Sequence, residues 1–186
     1  MPNISKFVSS FTYEVSRPCL FDVSIPLPAA IQPVFGINQL HLRCEATELP
    51  GRTFAMAEQK TYGPVQRFPI QNAYDNIQFT FICSGNLDER KIFDAWMNLI
   101  SEAQPNPTGR GNFDFQYKTN YAMKVRVIQR DLQNSRVYEV DLIEAFPFAV
   151  NPISLNWADL DSYNKLSVMF NYTHFEVVEG VTVTLG

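Results

Sequence analysis

Two histidines and three cysteines are the residues of this 186-residue chain best suited to metal or redox chemistry. His41 and His174 could ligate a metal or act as a general base. A zinc site needs its ligands at short intervals, because four of them must converge on one ion. The two histidines are far apart, no HxxxH occurs, and no Cys-His cluster is present. Cys19, Cys44 and Cys83 are odd in number and widely spaced, without a CxxC. That pattern speaks against a disulfide framework, and a reducing compartment is the simpler inference. Cys44 and Cys83 fall on the apolar faces of predicted strands and read as small core residues. Serine, histidine and aspartate all occur, but no nucleophile elbow does. Gly85 and Asn86 form no phosphate loop, and neither GxxxxGKS nor GxGxxG is present. The acidic pairs Asp88–Glu89 and Asp159–Asp161 read as helix-start charge and as turn residues. No enzyme, metal or cofactor is expected.

Charge narrows the partners. The net charge is −4 and no run of Lys or Arg is visible. A duplex-binding protein needs a basic patch for phosphate. The densest basic group, Lys124, Arg126 and Arg130, alternates along one predicted strand and reads as a solvated face. Charged residues are only 18% of the chain, and aromatics are many: 15 Phe, 8 Tyr and 2 Trp. That balance is globular and hints at surface buried against partners. There is no charged-then-apolar leader and no apolar run long enough to span a bilayer, so neither leader-directed export nor membrane insertion is expected. The length suits one domain, 1–186, with an N-terminal arm at 1–18 and a C-terminal tail at 179–186.

The elements that would carry these residues are mostly strands. The most organised stretch is 74–100. Ile77, Phe79, Phe81 and Cys83 alternate with Gln78, Thr80 and Ser84, which predicts a strand. The period then changes to helical, with Ile92, Phe93, Trp96, Leu99 and Ile100 on one stripe. Asn86 is placed to cap this helix, with Glu89 three residues on as a capping-box partner. Prolines and glycines at 105–111 forbid its continuation. Alternation also predicts strands at 20–26, 39–47, 121–128, 137–146 and 165–177. Leu40, Leu42, Cys44 and Ala46 share one face of the second of these. Ala145 lies opposite Leu142 and Phe146 in the fourth, which Pro147 is expected to end. The segment 52–69 is long and polar, with Tyr62-Gly63-Pro64 at its middle, and predicts a protruding hairpin or extended loop of the kind usually used for interaction. The total is six or seven antiparallel strands and one helix: mainly β, a β-sandwich or barrel.

An ordered set of short motifs goes further. Arg17-Pro18-Cys19-Leu20-Phe21-Asp22-Val23 opens the first strand, and Cys44-Glu45-Ala46-Thr47-Glu48-Leu49-Pro50-Gly51 ends the second. Tyr74 leads towards a helix carrying Phe93-Asp94-Ala95-Trp96. Tyr117 and Tyr121, then YEVDLIEAFP from Tyr138, Leu155-Asn156-Trp157 and KLSVMFNY from Lys165 follow. In this order and spacing, over roughly 17–176, the chain resembles the tail tube protein of contractile-tailed bacteriophages.

The resemblance implies a structural virion protein with a ring-forming tail-tube fold, assembled in the host cytoplasm. Six subunits would form a ring, and rings would stack into a tube within a sheath. Implied partners are further copies of the chain, the tail sheath, the baseplate or tube initiator, the tape-measure protein, and DNA passing without specific binding. In such a tube Ile92, Phe93, Trp96 and Ile100 would hold the helix on the back of the sheet, and Gln78 and Thr80 would face the lumen. Arg52, Glu58, Lys60 and Arg67, in the 52–69 segment, would reach another subunit or ring. Negative net charge suits a conduit for DNA. The chain is somewhat longer than is typical of that family, in the arm, the loop at 26–35 and the tail. Two related readings stay open, a baseplate tube initiator and a type VI secretion-like tube protein. A reading of another class, a small β-barrel module for a hydrophobic ligand, rests on the aromatic count.

Overall fold

A computed structural model describes residues 4–11, 15–32, 40–101, 115–158 and 160–178. The predicted tail at 179–186, the loop at 105–111 and Asp159 lie outside them. The strands are β1 (Phe21–Ser24), β2 (Cys44–Thr47), β3 (Arg52–Gln59), β4 (Gln66–Tyr74), β5 (Ile77–Ile82), β6 (Met123–Arg130), β7 (Arg136–Val150), β8 (Lys165–Asn171) and β9 (His174–Val177). The helices are α1 (Ile4–Ser9), α2 (Leu40–Arg43), α3 (Asp88–Ile100) and α4 (Lys118–Tyr121). All strand pairings are antiparallel. The fold is mainly β with, among the described residues, one substantial helix, the 13-residue α3. The single turns α2 and α4, and α1 within the arm, were not expected from periodicity.

One sheet of seven strands runs β1-β6-β7-β8-β5-β2, with β9 also on β7. The 15-residue β7 is its spine. Its first part pairs with β6 on one edge and β9 on the other, and its last part pairs with β8. Between them Glu144 adopts φ 54, and the β6–β7 register slips there by one residue. Such a bulge bends the strand and reverses its side-chain phase. Ala145, predicted on the polar side, is fully buried for this reason. Pro147 does not end the strand: it lies inside β7, opposite Phe170. β6 has already left β7 at Ala145, so one edge of the backbone at Pro147 needs no donor. The run 165–177 divides into β8 and β9, which lie end to end along β7. They part at Tyr172 and Thr173, and the Thr173 N–H donates to the Ile143 carbonyl beside the bulge.

The bend brings the two halves of the sheet round one core. Val23, Val125, Val127, Val140 and Leu142 come from one half, and Ile77, Phe79, Phe81, Leu166, Val168 and Phe170 from the other. Helix α3 closes the space with Ile92, Phe93 and Trp96. Phe170 sits among the rings, 5.2 Å from Phe79, 6.0 Å from Phe93 and 5.8 Å from Trp96 between centroids. The Trp96 indole N–H donates to the Tyr121 carbonyl at 2.9 Å, so even the polar edge of the largest side chain is satisfied.

Two local readings are corrected. The helix is not capped by Asn86. Its N-cap is Leu87, at φ 53, without a side-chain cap bond. The reciprocal pair is instead Ser84 and Glu89: the Asp88 N–H donates to Ser84 Oγ at 3.3 Å, and the Ser84 N–H donates to Glu89 Oε2 at 2.9 Å. The left-handed residue lengthens the turn, so the capping residue lies further back. The predicted strand at 39–47 is a strand only from Cys44 to Thr47, because Leu40–Arg43 is a helical turn. Residues two apart point in nearly opposite directions on a helix. Leu40 is therefore buried while Leu42 is 73% exposed.

Candidate assembly surfaces

Among the described residues, strands β3 and β4 pair only with each other. They form a hairpin turning at Thr61–Pro64, where Gly63 takes φ 90, a conformation open to glycine. Nearly every residue on it is exposed, including Phe54 (56%), Met56 (53%), Phe68 (46%) and Ile70 (67%). Register assigns its faces, since residues directly opposite share one. Arg52, Phe54, Met56 and Glu58 alternate onto one face of β3, with Pro69 and Arg67 opposite the last two. Ile70 is the extra residue of a bulge. The base is held: Tyr74 packs on Tyr172 and Phe175, and the Arg52 guanidinium lies over Phe175. Further out, Arg67 pairs with Glu58 at 2.9 Å. A two-stranded ribbon without a covered face is marginal in water.

The sheet has two outward polar faces of different character. On the β1-β6-β7-β9 half, Arg126 bridges to Asp141 through two hydrogen bonds, of 2.5 and 3.0 Å, and Lys124 meets the same carboxylate at 2.5 Å. Arg130 pairs with Asp22, and Arg136 with Glu139. A shallow cleft on this face is lined by Ser24, Lys124, Arg126, Ile128 and Arg136. Burial alone would raise the Asp141 pKa, but hydrogen bonds from Arg126 and Lys124 outweigh it and bring it below the ordinary value. The basic strand face is thus neutralised by acids of neighbouring strands. On the β8-β5-β2 half the outward side chains are mostly uncharged, with Gln78 opposite Met169 and Thr80 opposite Ser167. Thr80 and Ser167 share a hydroxyl hydrogen bond of 3.3 Å.

Chemistry-bearing side chains are otherwise dispersed. No group of His, Cys, Asp and Glu suited to a metal occurs among the described residues. His174 lies near Glu176 at the sheet edge, and His41 sits on α2 rather than on a strand. All three cysteines are free thiols. Burial pushes the Cys44 thiol up to about 12, which leaves it unreactive at neutral pH.

Of the residues singled out by sequence, Ile92, Phe93 and Trp96 are buried and Ile100 packs partly buried against the same core. Gln78 is exposed and Thr80 half-buried, both on the sheet face away from α3. Arg52, Glu58 and Arg67 lie on the hairpin strands, and Lys60 lies just beyond β3. Sequence reasoning placed Glu89 at the helix start, as a capping-box partner of Asn86, but missed that it is fully buried and joined to Arg43 of α2 and to both the N–H and hydroxyl of Ser84. Its signal was its place on the apolar stripe, one turn before Ile92 and Phe93. Also missed was the ion pair of Lys118 with Glu144 at the bulge, which no period could show.

The comparisons with known proteins agree with this architecture. The sequence matches the family described as phage tail tube protein over residues 16–178. The fold is similar to that of a chain in the anti-feeding prophage baseplate, with TM-score 0.59 and 13% identity, covering 92% of this chain and 99% of that one. It is similar to a chain in the sheath/tube terminator of an extracellular contractile injection system, with TM-score 0.61 and 11% identity, covering 90% and 99%. The tube-terminating cap of the anti-feeding prophage gives TM-score 0.62 at 11% identity, covering 90% and 93%. At these identities the likeness is one of fold. No curated protein matches the sequence. Matched over nearly its whole length, the chain belongs to the phage tail tube protein family, a structural and non-enzymatic one.

Proposed function

We propose that copies of this chain close into hexameric rings and that the rings stack into the inner tube of a contractile tail. Such a tube guides the tape-measure protein and then DNA, within a sheath and on a baseplate that starts its growth. The observation that carries this reading is the β3–β4 hairpin, a ribbon with exposed apolar side chains, held at its base and left uncovered by the described residues. A neighbouring copy supplies the missing layer. The sheet supports the same reading. Among the described residues no further strand pairs with β1, β2 or β9, and such edges are sites for pairing between chains. The face bearing Gln78 and Thr80, mostly uncharged and with Lys165 paired to Glu45, suits a lumen through which phosphate must slide without sticking. Of the aromatics that motivated a ligand-binding barrel, Phe79, Phe93 and Trp96 pack round Phe170 and fill the interior there with side chains.

Electron microscopy and mass photometry of the purified protein test the proposal. Rings of six copies and tubes built from them are expected, without added ligand. A strict monomer at high concentration, unchanged when a tube initiator is supplied, contradicts it.

A further inference from the structure

The 151–164 segment between β7 and β8 is a second place where the chain leaves large apolar side chains in water while holding the backbone. At one end the Asn151 N–H donates to the Ser167 carbonyl and the Arg90 guanidinium donates to the Asn151 carbonyl. At the other the Tyr163 hydroxyl donates to Glu45. Between these anchors Leu155 is 83% and Trp157 101% exposed. Among the described residues Trp157 therefore touches almost nothing. Clusters of this kind mark interaction surfaces.

Charge identifies what they meet. The loop contains Asp159 and Asp161 and no basic residue, giving −2. The hairpin contains Arg52, Lys60 and Arg67 against Glu58, giving +2. Another exposed apolar segment, the N-terminal arm, is a poorer match to the hairpin, because its Lys6 and Arg17 outnumber Glu14. We propose that the 151–164 loop of one copy docks on the β3–β4 hairpin of another, with Trp157 against the exposed apolar side chains and Asp161 towards Lys60 and Arg67. The apolar contact supplies affinity, and the opposite charges supply partner choice and register. This rests on the reading of the hairpin as a contact between copies, and it names the surface that the hairpin meets.

Photo-crosslinking tests the pairing. A benzophenone side chain replaces Trp157 in one preparation and Phe68 in another, and each is assembled with isotope-labelled wild-type chain. Both positions are exposed, and the new side chain keeps their apolar aromatic character. Crosslinks from position 157 into residues 52–74 of a differently labelled copy are expected. Crosslinks only into other segments, or only within one chain, overturn the proposal. If the Phe68 probe still joins different copies, that failure concerns the loop alone; if neither probe joins copies, the hairpin reading falls too. A charge exchange gives a second test. Asp159→Lys with Asp161→Lys should raise the concentration needed for assembly about tenfold or more, and adding Lys60→Glu with Arg67→Glu should recover most of the loss. Loss without recovery, or no loss, counts against the pairing.

Discussion

The sheet body and the β3–β4 hairpin are built from the same antiparallel pairing and stand in opposite relations to water. In β5 the side chains alternate between core and surface, with Ile77, Phe79 and Phe81 buried beneath α3. In β3 and β4 comparable apolar side chains, Phe54, Met56, Phe68 and Ile70, are all exposed. Hydrogen bonding does not separate the two regions. The presence of a second layer does, because strands become stable when one face is covered. The body carries its own layer in the bent sheet and helix. Among the described residues nothing supplies the hairpin's layer, and in the proposed assembly a neighbouring copy supplies it. Stability and assembly are therefore expected to be separable by mutation.

The largest stability effect should fall in the body. Phe93→Ala removes a fully buried ring in contact with Phe81 and Phe170, and should cost about 3–5 kcal/mol of subunit stability in denaturant unfolding. A neutral result would mean that α3 does not hold the sheet halves together. Next comes Glu89→Ala, which leaves the Ser84 N–H and the Arg43 guanidinium without their carboxylate. A loss of about 1–3 kcal/mol is expected. Glu89→Gln should recover part of it by keeping a carbonyl acceptor. An alanine variant as stable as wild type would mean that Glu89 contributes nothing to holding α2 against α3.

These two residues also show what the sequence made legible. Phe93 and Trp96 stood out because strand and helix periods meet at 84–88, and a stripe of large apolar residues at helical spacing needs a core to cover it. Glu89 lay on that stripe, but its charge pointed to the helix dipole rather than to the interior. Leu40–Arg43 could not be told from strand, because four residues alternating apolar and polar hold little more than one helical turn. The reversal at Glu144 had no sequence signal either, since a non-glycine residue at positive φ is set by the tertiary bend around it. The hairpin was legible as a projection through Pro50-Gly51 and Tyr62-Gly63-Pro64. Its lack of cover was not, because alternation says which residues share a face and not what lies against it.

A smaller effect concerns pH. Asp141 has a folded pKa below its ordinary value of 3.8, despite burial, because Arg126 and Lys124 donate to it. Such a group stabilises the fold above the unfolded value, and the contribution is lost as pH falls from there through the folded pKa. Wild type should therefore lose stability with acid more steeply below about pH 4 than Asp141→Asn does, as followed by circular dichroism during unfolding. Equal slopes would mean that the Asp141 ion pairs add nothing to folding.

The smallest effect on stability should come from the hairpin, and there the comparison is decided. Phe54→Ser with Met56→Ser should change subunit stability by no more than about 0.5 kcal/mol each, as expected for exposed positions, while weakening assembly. The sharpest single measurement removes the tip, residues 60–65, and follows one preparation by thermal unfolding and by electron microscopy. The expected result is a cooperatively folded subunit with near wild-type stability that no longer stacks into tubes. A deletion variant that polymerises normally would contradict the assignment of the hairpin to assembly.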